Sequence, residues 1–318
     1  MPVRKHAESY FYRQYLPALL QENGWMRSGR VLFLIFAQIW SLDDIFQILF
    51  QNKAKKLQKL FSHNFSQNIW RILPDPDPHS DLWAIELRDA SQKKVSFAMV
   101  DLSKPEVRWQ AEPEATDWWT SLTAFSFNHL FLHNYRYPDI PEPTDLLMVS
   151  AQSGQMQWVL PNHLLVKTVN QELIEVATKA GDQFKYFLCS AETGLRFQGN
   201  EDIIEAAEQI ILGEPVRYME GNPYFDRLAA FISEHTFGQE PVAIDYLEKR
   251  PYMMFSYYLY EQEKMAAYLL IMTTKSELVL HEKLSEGRDG IGQSSMFLKG
   301  SKLVFLKNNN EFSSLTLY

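Results

Sequence analysis

A short turn followed by an aromatic residue recurs along this chain at nearly regular intervals. The two clear copies, residues 151–158 and 191–197, place Ala-x-Ser/Thr-Gly a few residues before a Trp or Phe. Weaker copies end at Trp109 and at Trp70, so the four aromatic residues are spaced by 39, 49 and 39 residues. A period of ~40–50 residues built from short strands is typical of β-propellers.

The repeated turn has a physical explanation in such a fold. Its glycine can take the positive φ that a tight hairpin between two outer strands requires. The aromatic residue that follows lies on the outermost strand, where it can pack between neighbouring blades. We therefore expect each turn to close a hairpin within its sheet and each aromatic residue to lie between that sheet and the next.

The rest of the pattern predicts an all-β, β-propeller-like fold with about five or six blades. Short apolar or alternating runs bounded by turn residues begin near Lys59. Residues 200–235 break this pattern and predict a two-helix insertion, with one helix over 201–211 and another from Asn222 to about Glu234. We expect the C-terminal strands to form the last blade, with the strand ending at Trp70 as its outermost strand.

Residues 1–56 do not share the strand pattern of the rest and predict a helical or poorly defined N-terminal extension, either docked on the native domain or outside it. We place the native domain at 57–318. The apolar run 31–40 is followed by Asp43 and Asp44. A membrane helix needs about 20 mostly apolar residues, so no membrane span is predicted. Translation from Met26 would give a signal-like segment and an exported protein, which is the alternative to the cytoplasmic location that we expect.

Charge and cysteine usage exclude several classes of function. The formal net charge is −8, which argues against a nucleic-acid partner because phosphate binding needs a basic surface. Cys189 is the single cysteine, so no intramolecular disulfide can form, as fits a reducing compartment. No Cys/His metal framework is present in the sequence, and we expect neither a metal nor a cofactor.

The repeat at 151–158 and 191–197 resembles that of quinoprotein-type (pyrroloquinoline-quinone dehydrogenase-like) propellers and of the bacterial outer-membrane assembly propeller. The resemblance implies blade geometry. Quinone-binding members of that group carry a vicinal cysteine pair, which a chain with one cysteine lacks, so it implies no cofactor.

A second resemblance rests on the segments 60–65, 69–75, 130–136 and 141–143. Together they are similar to an uncharacterised protein family of Bacteroidetes. The resemblance implies a domain from about residue 57 to the end of the chain and carries no assigned activity.

Polar loop residues are the candidates for a ligand site at one mouth of the propeller. They are Asp75, His79, His133, Arg136 and Asp139. The plainer alternative is a set of solvated loops and a hydrogen-bonded core histidine. Trp118 and Trp119 could instead form an exposed aromatic platform for a sugar or a peptide.

These features favour a non-catalytic binding or interaction module whose partner is an unknown protein or small molecule. The alternative is a hydrolase acting on a glycan or small molecule at the same mouth. Carboxylates converging in a deep pocket would favour the enzyme, whereas an exposed aromatic patch would favour the module.

Overall fold

The structure, a computed structural model, describes residues 57–137, 139, 142–199, 212–292 and 294–318. The predicted extension (1–56) and the first predicted helix of the insertion (201–211) lie outside the described residues. Within the described part, 21 strands form five antiparallel sheets. This confirms the all-β prediction, and the five antiparallel sheets are consistent with a propeller-like arrangement.

The first half of the chain forms three sheets from consecutive strands. β1 (Leu57–Asn64) belongs to sheet A, which is completed later. Sheet B contains β2 (Asn68–Pro74), β3 (Leu82–Asp89), β4 (Lys94–Asp101) and β5 (Glu106–Ala111). Sheet C contains β6 (Ser121–Ser126), β7 (His129–Asn134), β8 (Asp145–Ser150) and β9 (Met156–Pro161). Sheet D contains β10 (Leu164–Thr168), β11 (Leu173–Ala180) and β12 (Gln183–Ser190).

The second half of the chain forms sheet E and supplies the remaining strands of sheet A. β13 (Leu212–Gly213) pairs within sheet A. Sheet E contains β14 (Val216–Met219), β15 (Ala243–Lys249), β16 (Tyr252–Glu261), β17 (Lys264–Thr273) and β18 (Leu278–Arg288), with helix α1 (Phe225–His235) between β14 and β15. β19 (Met296–Lys299), β20 (Lys302–Lys307) and β21 (Glu311–Leu317) complete sheet A.

Sheet A joins the first described strand to the last. β1 pairs with β21 in antiparallel register, from Leu57 opposite Leu317 to Asn64 opposite Glu311. The prediction that the strand ending at Trp70 makes this closure is wrong, because Trp70 lies in β2 of sheet B. Polar residues interrupt the apolar positions of β1, as suits a strand at the edge of its sheet. Because of them, the sequence of β1 lacks the regular alternation that would predict a strand.

Neighbouring sheets share hydrophobic cores. These cores join A to B, B to C, C to D and E to A. Buried members from the two sides are, in that order, Phe312 and Trp83, Phe97 and Leu122, Phe131 and Ile174, and Met254 and Phe305. Burial on both faces explains why the central strands are nearly continuous apolar runs.

Helix α1 covers the remaining face of sheet E. Phe225 and Ile232 of the helix pack with Phe255 and Leu270 of the sheet. The sequence predicted this second helix of the insertion but started it at Asn222. In the structure the Asn222 Oδ1 atom accepts a hydrogen bond from the Tyr224 N–H at 3.0 Å, and the helix begins three residues later than predicted.

The antiparallel order places successive turns at two opposite ends of the sheets. At one end, the Arg88 guanidinium donates hydrogen bonds to the carbonyls of Trp118 and Thr120 in the loop between β5 and β6. We call this the Trp118 end. At the other, the Lys299 Nζ atom donates to the carbonyls of Asp75 and Ser80 in the loop between β2 and β3, and we call this the Lys299 end.

The repeated turns join sheets B, C and D. The Trp109 Nε1 atom of β5 donates to the Ala151 carbonyl at 2.8 Å, and the Trp158 Nε1 atom of β9 donates to the Ala191 carbonyl at 3.0 Å. Gly154, whose φ is +71°, lies so close to Trp109 that a Cβ atom there would be 2.8 Å from its ring. The indole therefore packs on a turn that only glycine fits.

Only two of the four predicted repeat aromatics make this joint. Trp70 is 61% exposed on β2. Phe197 follows an isolated bridge between Cys189 and Arg196, beyond the last strand of sheet D.

Candidate functional site

The five predicted site residues do not come together. Asp75 and His79 lie in the loop between β2 and β3, at the Lys299 end. His133, Arg136 and Asp139 lie at the end of β7 and in the following loop, at the Trp118 end. The sequence analysis predicted that all five line one mouth of the propeller. In the structure, successive turns of the antiparallel sheets lie at opposite ends, so these residues are divided between the Lys299 end and the Trp118 end.

His133 is a hydrogen-bonded core residue. It is 6% exposed, and its Nε2 atom accepts the N–H of Leu165 at 3.1 Å, which ties sheet C to sheet D. Burial lowers the pKa of His133 to about 4. The ring is therefore neutral at pH 7, with its proton on Nδ1, and acts as a structural acceptor.

Arg136 is held by a carboxylate. Its Nε atom lies 3.2 Å from the Asp145 Oδ2 atom, and its Nη2 atom donates to Asp145 Oδ1. Burial opposes ionisation of Asp145, but hydrogen bonds from Arg136 and from the Asn162 N–H outweigh it and lower the pKa of the carboxyl group. Asp139 is exposed in the same loop.

Asp75 and His79 belong to a rigid, proline-containing turn. The buried Asp75 accepts the N–H of Asp77 through its Oδ1 atom at 3.2 Å, and the exposed His79 donates its own N–H to Asp77 at 2.8 Å. Lys299 is buried below them. Its removal from water lowers the pKa of its ammonium group, against the attraction of Asp75. These contacts fix the loop onto sheet A.

The structure reveals a different polar and aromatic cluster at the Trp118 end. The Arg88 Cζ atom lies 5.3 Å from the ring centroid of Trp70 and 5.0 Å from that of Trp118. Its Nε atom donates to the fully buried Glu86 at 2.7 Å. One guanidinium group thus holds two indole rings in place. We call Trp70, Arg88, Trp118 and Trp119 the tryptophan cluster.

Glu86 connects this cluster to the next sheet. Its Oε2 atom accepts the N–H of Leu122 at 2.8 Å and the hydroxyl of Ser121 at 3.3 Å, both at the start of β6. The Glu86–Arg88 pair therefore spans the joint between sheets B and C. A buried charge needs such partners, and the contacts of Arg88 with Trp70 and Trp118 also fix the cluster.

The loop between β5 and β6 is pinned by its own polar groups. The Asp117 N–H donates to Thr120 Oγ1, and the Trp119 N–H donates to Asp117 Oδ1, each at 2.8 Å. The Asn134 side chain donates to the Ala115 carbonyl at 3.0 Å. The loop thus presents its two tryptophans in a fixed arrangement.

A concave site of about 290 Å³ adjoins Trp118. The turn between β3 and β4 forms one wall, and the loop after β5 forms the other. Its lining residues are Lys93, Lys94, Val95, Glu112, Pro113, Glu114, Ala115, Thr116, Asp117 and Trp118. Lys94 and Glu112 face each other at 3.9 Å, and both are more than half exposed. The site is thus polar, open and bordered by an indole ring.

The sequence pointed to part of this cluster. The Trp118-Trp119 pair is visible as an aromatic platform, but Trp70 and Arg88 come from other strands. A register shift between β2 and β3 occurs at Trp70, and such irregularities redirect a side chain. No local pattern shows that shift in advance.

Metal binding and membrane crossing are two further possibilities for the described residues. No group of three or more His, Cys, Asp or Glu side chains is arranged there to hold a metal ion. In the same part of the chain, no helix has the length and hydropathy needed to cross a membrane.

Solved structures similar to this chain include uncharacterised proteins and a propeller. An uncharacterised protein from Listeria monocytogenes EGD-e is 8% identical, with a TM-score of 0.32, over 81% of this chain and 97% of its own. A member of the DUF4221 family from Bacteroides vulgatus ATCC 8482 is 8% identical, with a TM-score of 0.32, over 83% and 99%. The β-propeller domain of the Trilobed protease from Pyrococcus furiosus is 11% identical, with a TM-score of 0.28, over 79% and 67%.

At these TM-scores the structural likeness carries no argument about activity. No curated protein matches the chain in sequence. Residues 76–158 match a family described as a domain of unknown function (DUF4905), and this segment contains Arg88, Trp118, Trp119 and the lining of the concave site.

Proposed function

We propose that this chain is a non-catalytic binding module whose ligand binds at the Trp118 end. The observation that carries the proposal is the tryptophan cluster. Trp70 and Trp119 are 61% and 45% exposed, yet the hydrogen bonds of Arg88 and Asp117 hold the surrounding structure in place. Exposed indoles on a fixed frame are typical of recognition surfaces.

Preorganisation supports the same conclusion. Binding costs free energy for each side chain or loop that must be ordered on association. The loop after β5 is already ordered by hydrogen bonds within itself, to Arg88 and to Asn134. A ligand at the Trp118 end would therefore meet little ordering cost.

The hydrolase alternative receives less support from the same site. Glu112, Glu114 and Asp117 line it, but all three are exposed. A carboxylic acid that protonates a leaving group is usually shielded from water so that it keeps its proton at neutral pH. These carboxylates suit hydrogen bonding to a ligand better than acid catalysis.

The proposal extends to the frame that carries the site. We assign the five sheets to five blades of a propeller, with the Trp109 and Trp158 joints as quinoprotein-type blade contacts. The binding domain is 57–318, and we assign it to the cytoplasm. Under this proposal Asp75 and Arg136 hold loops at the two ends and His133 joins sheet C to sheet D, while His79 and Asp139 are exposed in the same loops.

The test is a binding screen with the full chain on an array that carries glycans and peptides of both charges. The Trp119→Ala variant removes an exposed indole, and the Tyr260→Ala variant is the control because Tyr260 is 61% exposed on sheet E. We expect a class of ligands that the wild type and the Tyr260 variant bind and the Trp119 variant loses. Absence of any bound ligand, or equal binding by all three proteins, would overturn the proposal.

A further inference from the structure

We infer that the ligand of the tryptophan cluster is a neutral oligosaccharide, stacked on the exposed indoles with one sugar unit in the concave site. This inference rests on the binding function proposed above. It follows from the charge already in contact with the indoles, the charge of the concave site, and the polarity of its lining.

A cationic ligand is disfavoured by Arg88. Cations bind to the electron-rich face of an indole, but the Arg88 guanidinium already occupies one face of Trp70 and one of Trp118. A second cation on the free face would be repelled across the ring by the first. Glu86 is bound to the Arg88 Nε atom at 2.7 Å, but the guanidinium is the group that contacts the rings.

An anionic ligand is disfavoured by the lining of the concave site. Three carboxylates, from Glu112, Glu114 and Asp117, outnumber the two ammonium groups of Lys93 and Lys94. The whole chain also carries a formal net charge of −8. Phosphorylated, sulfated or acidic ligands would therefore meet repulsion both locally and at long range.

Among neutral ligands, a sugar fits both halves of the surface. The C–H groups on one face of a pyranose ring carry slight positive charge and pack on the negative face of an indole. Its hydroxyl groups can donate to the carboxylates and accept from the lysines of the concave site. An apolar peptide side chain would leave those polar groups desolvated without partners, which is costly.

The size of the concave site agrees with a single sugar unit. Pockets for drug-sized ligands span about 300–1,000 Å³, and this one, at about 290 Å³, lies just below that range. It is open, and Trp118 forms part of its border. Arg88 contacts both Trp118 and the exposed Trp70, so further sugar units can extend from the site toward the Trp70 indole.

The experiment is calorimetric titration of the full chain with oligosaccharides that differ in charge. Cellohexaose and chitohexaose are neutral probes, the chitosan hexamer is the cationic counterpart of chitohexaose, and hexagalacturonate is anionic. We expect a neutral probe to bind with an affinity that does not change between low and high salt. Trp119→Ala and Trp70→Ala should each weaken it about tenfold, while Tyr260→Ala leaves it unchanged.

Circular dichroism of each variant verifies its folding, and Trp119→Ala serves alone if Trp70→Ala unfolds the chain. Binding of only the charged probes, or of only peptides on the array, overturns the neutral-sugar assignment and leaves the binding module standing. Binding of a neutral probe by both Trp variants with the affinity of the wild type overturns the location. Failure of every oligosaccharide and every arrayed ligand to bind overturns both proposals.

Discussion

The joint between sheets B and C differs sharply from the region between sheets D and E. At the first, the Trp109 indole packs on the Gly154 turn, and the buried Glu86 binds the start of β6. At the second, none of the described hydrophobic cores contains residues from both sheets. Exposed apolar side chains are frequent there, on sheet D, on β14 and around α1. They are Val166, Phe184, Tyr186, Leu195, Val216, Met219, Tyr224 and Phe237.

The difference shows what the repeat does. Where its tryptophan meets a glycine turn of the next sheet, the two sheets share a core and a hydrogen bond. Phe197 takes the corresponding place after sheet D, but it has no indole N–H to donate. In sheet E, α1 packs on the face that lies away from sheet A. The joints B to C and C to D therefore use the same contact, a tryptophan on a glycine turn. Sheet E instead has one face covered by α1.

The largest expected effect comes from the buried charge at the B to C joint. Glu86→Ala leaves Arg88, which is 12% exposed, without its carboxylate. Removing one partner of a buried ion pair typically costs about 3–5 kcal/mol. Urea denaturation at pH 7 should show a loss of that size in the free energy of unfolding.

Sheet E offers a matched control for this loss. Glu248 and Arg250 are also two residues apart, at 3.2 Å, but their side chains are 39% and 86% exposed. Exposed pairs contribute about 0–1 kcal/mol, so Glu248→Ala should change little. Similar losses in the two variants would contradict the contrast between the two regions.

A smaller effect, dependent on pH, is expected at the joint between sheets C and D. The pKa of His133 is lowered by burial to about 4, against about 6.5 in the unfolded chain. The unfolded state therefore binds the proton first as the pH falls. The stabilisation by neutral His133 is complete above pH 6.5 and is lost between about pH 6.5 and 4, by about 3 kcal/mol.

Comparison with His133→Gln isolates this contribution, since the amide can accept the Leu165 N–H without taking up a proton. The free energy of unfolding of both proteins is measured from pH 8 to pH 4. As the pH falls, the free energy of unfolding of the wild type should decrease more than that of the variant. Parallel curves would show that His133 is not the group that titrates.

The sequence predicted the architecture better than the site, for a physical reason. The repeat consists of local features, namely the turn glycines Gly154 and Gly194 and the indoles Trp109 and Trp158. Their spacing in the chain corresponds to the length of one sheet, so the sequence alone predicts the succession of sheets. The Glu86–Arg88 pair looks like an ordinary exposed pair in β3 until Trp70, Trp118 and Leu122 are brought to it. Such contacts depend on how sheets pack, and residues from three strands and a loop contribute to them.

His133 illustrates the opposite error. A histidine beside an arginine and aspartates resembles a catalytic or binding group in the sequence. In the structure, burial removes its charge and the Leu165 N–H takes its acceptor atom. The burial of His133 cannot be deduced from its neighbours in the chain. The sequence therefore shows which residue types are present but not that this histidine is a buried, neutral acceptor.

The smallest effect tests the tryptophan joint itself through two glycines with the same backbone conformation. Gly154 has a φ of +71° and Gly181, in the turn between β11 and β12 of sheet D, has a φ of +67°. A Cβ atom would lie 2.8 Å from the Trp109 ring at Gly154 but meet nothing within 4 Å at Gly181. Both alanine variants incur the left-handed backbone cost of about 1–2 kcal/mol, and only Gly154→Ala also displaces the indole.

Gly154→Ala should therefore lower the free energy of unfolding by about 1 kcal/mol more than Gly181→Ala, since the displaced indole also loses its hydrogen bond to Ala151. Thermal melts monitored by tryptophan fluorescence measure both changes. In the double variant Gly154→Ala with Trp109→Phe, which lacks the indole N–H, the extra cost should shrink because the bond is already absent. Equal losses at the two glycines would mean that the indole does not join sheet B to sheet C, and the contrast between the two regions would then rest on the Glu86–Arg88 pair alone.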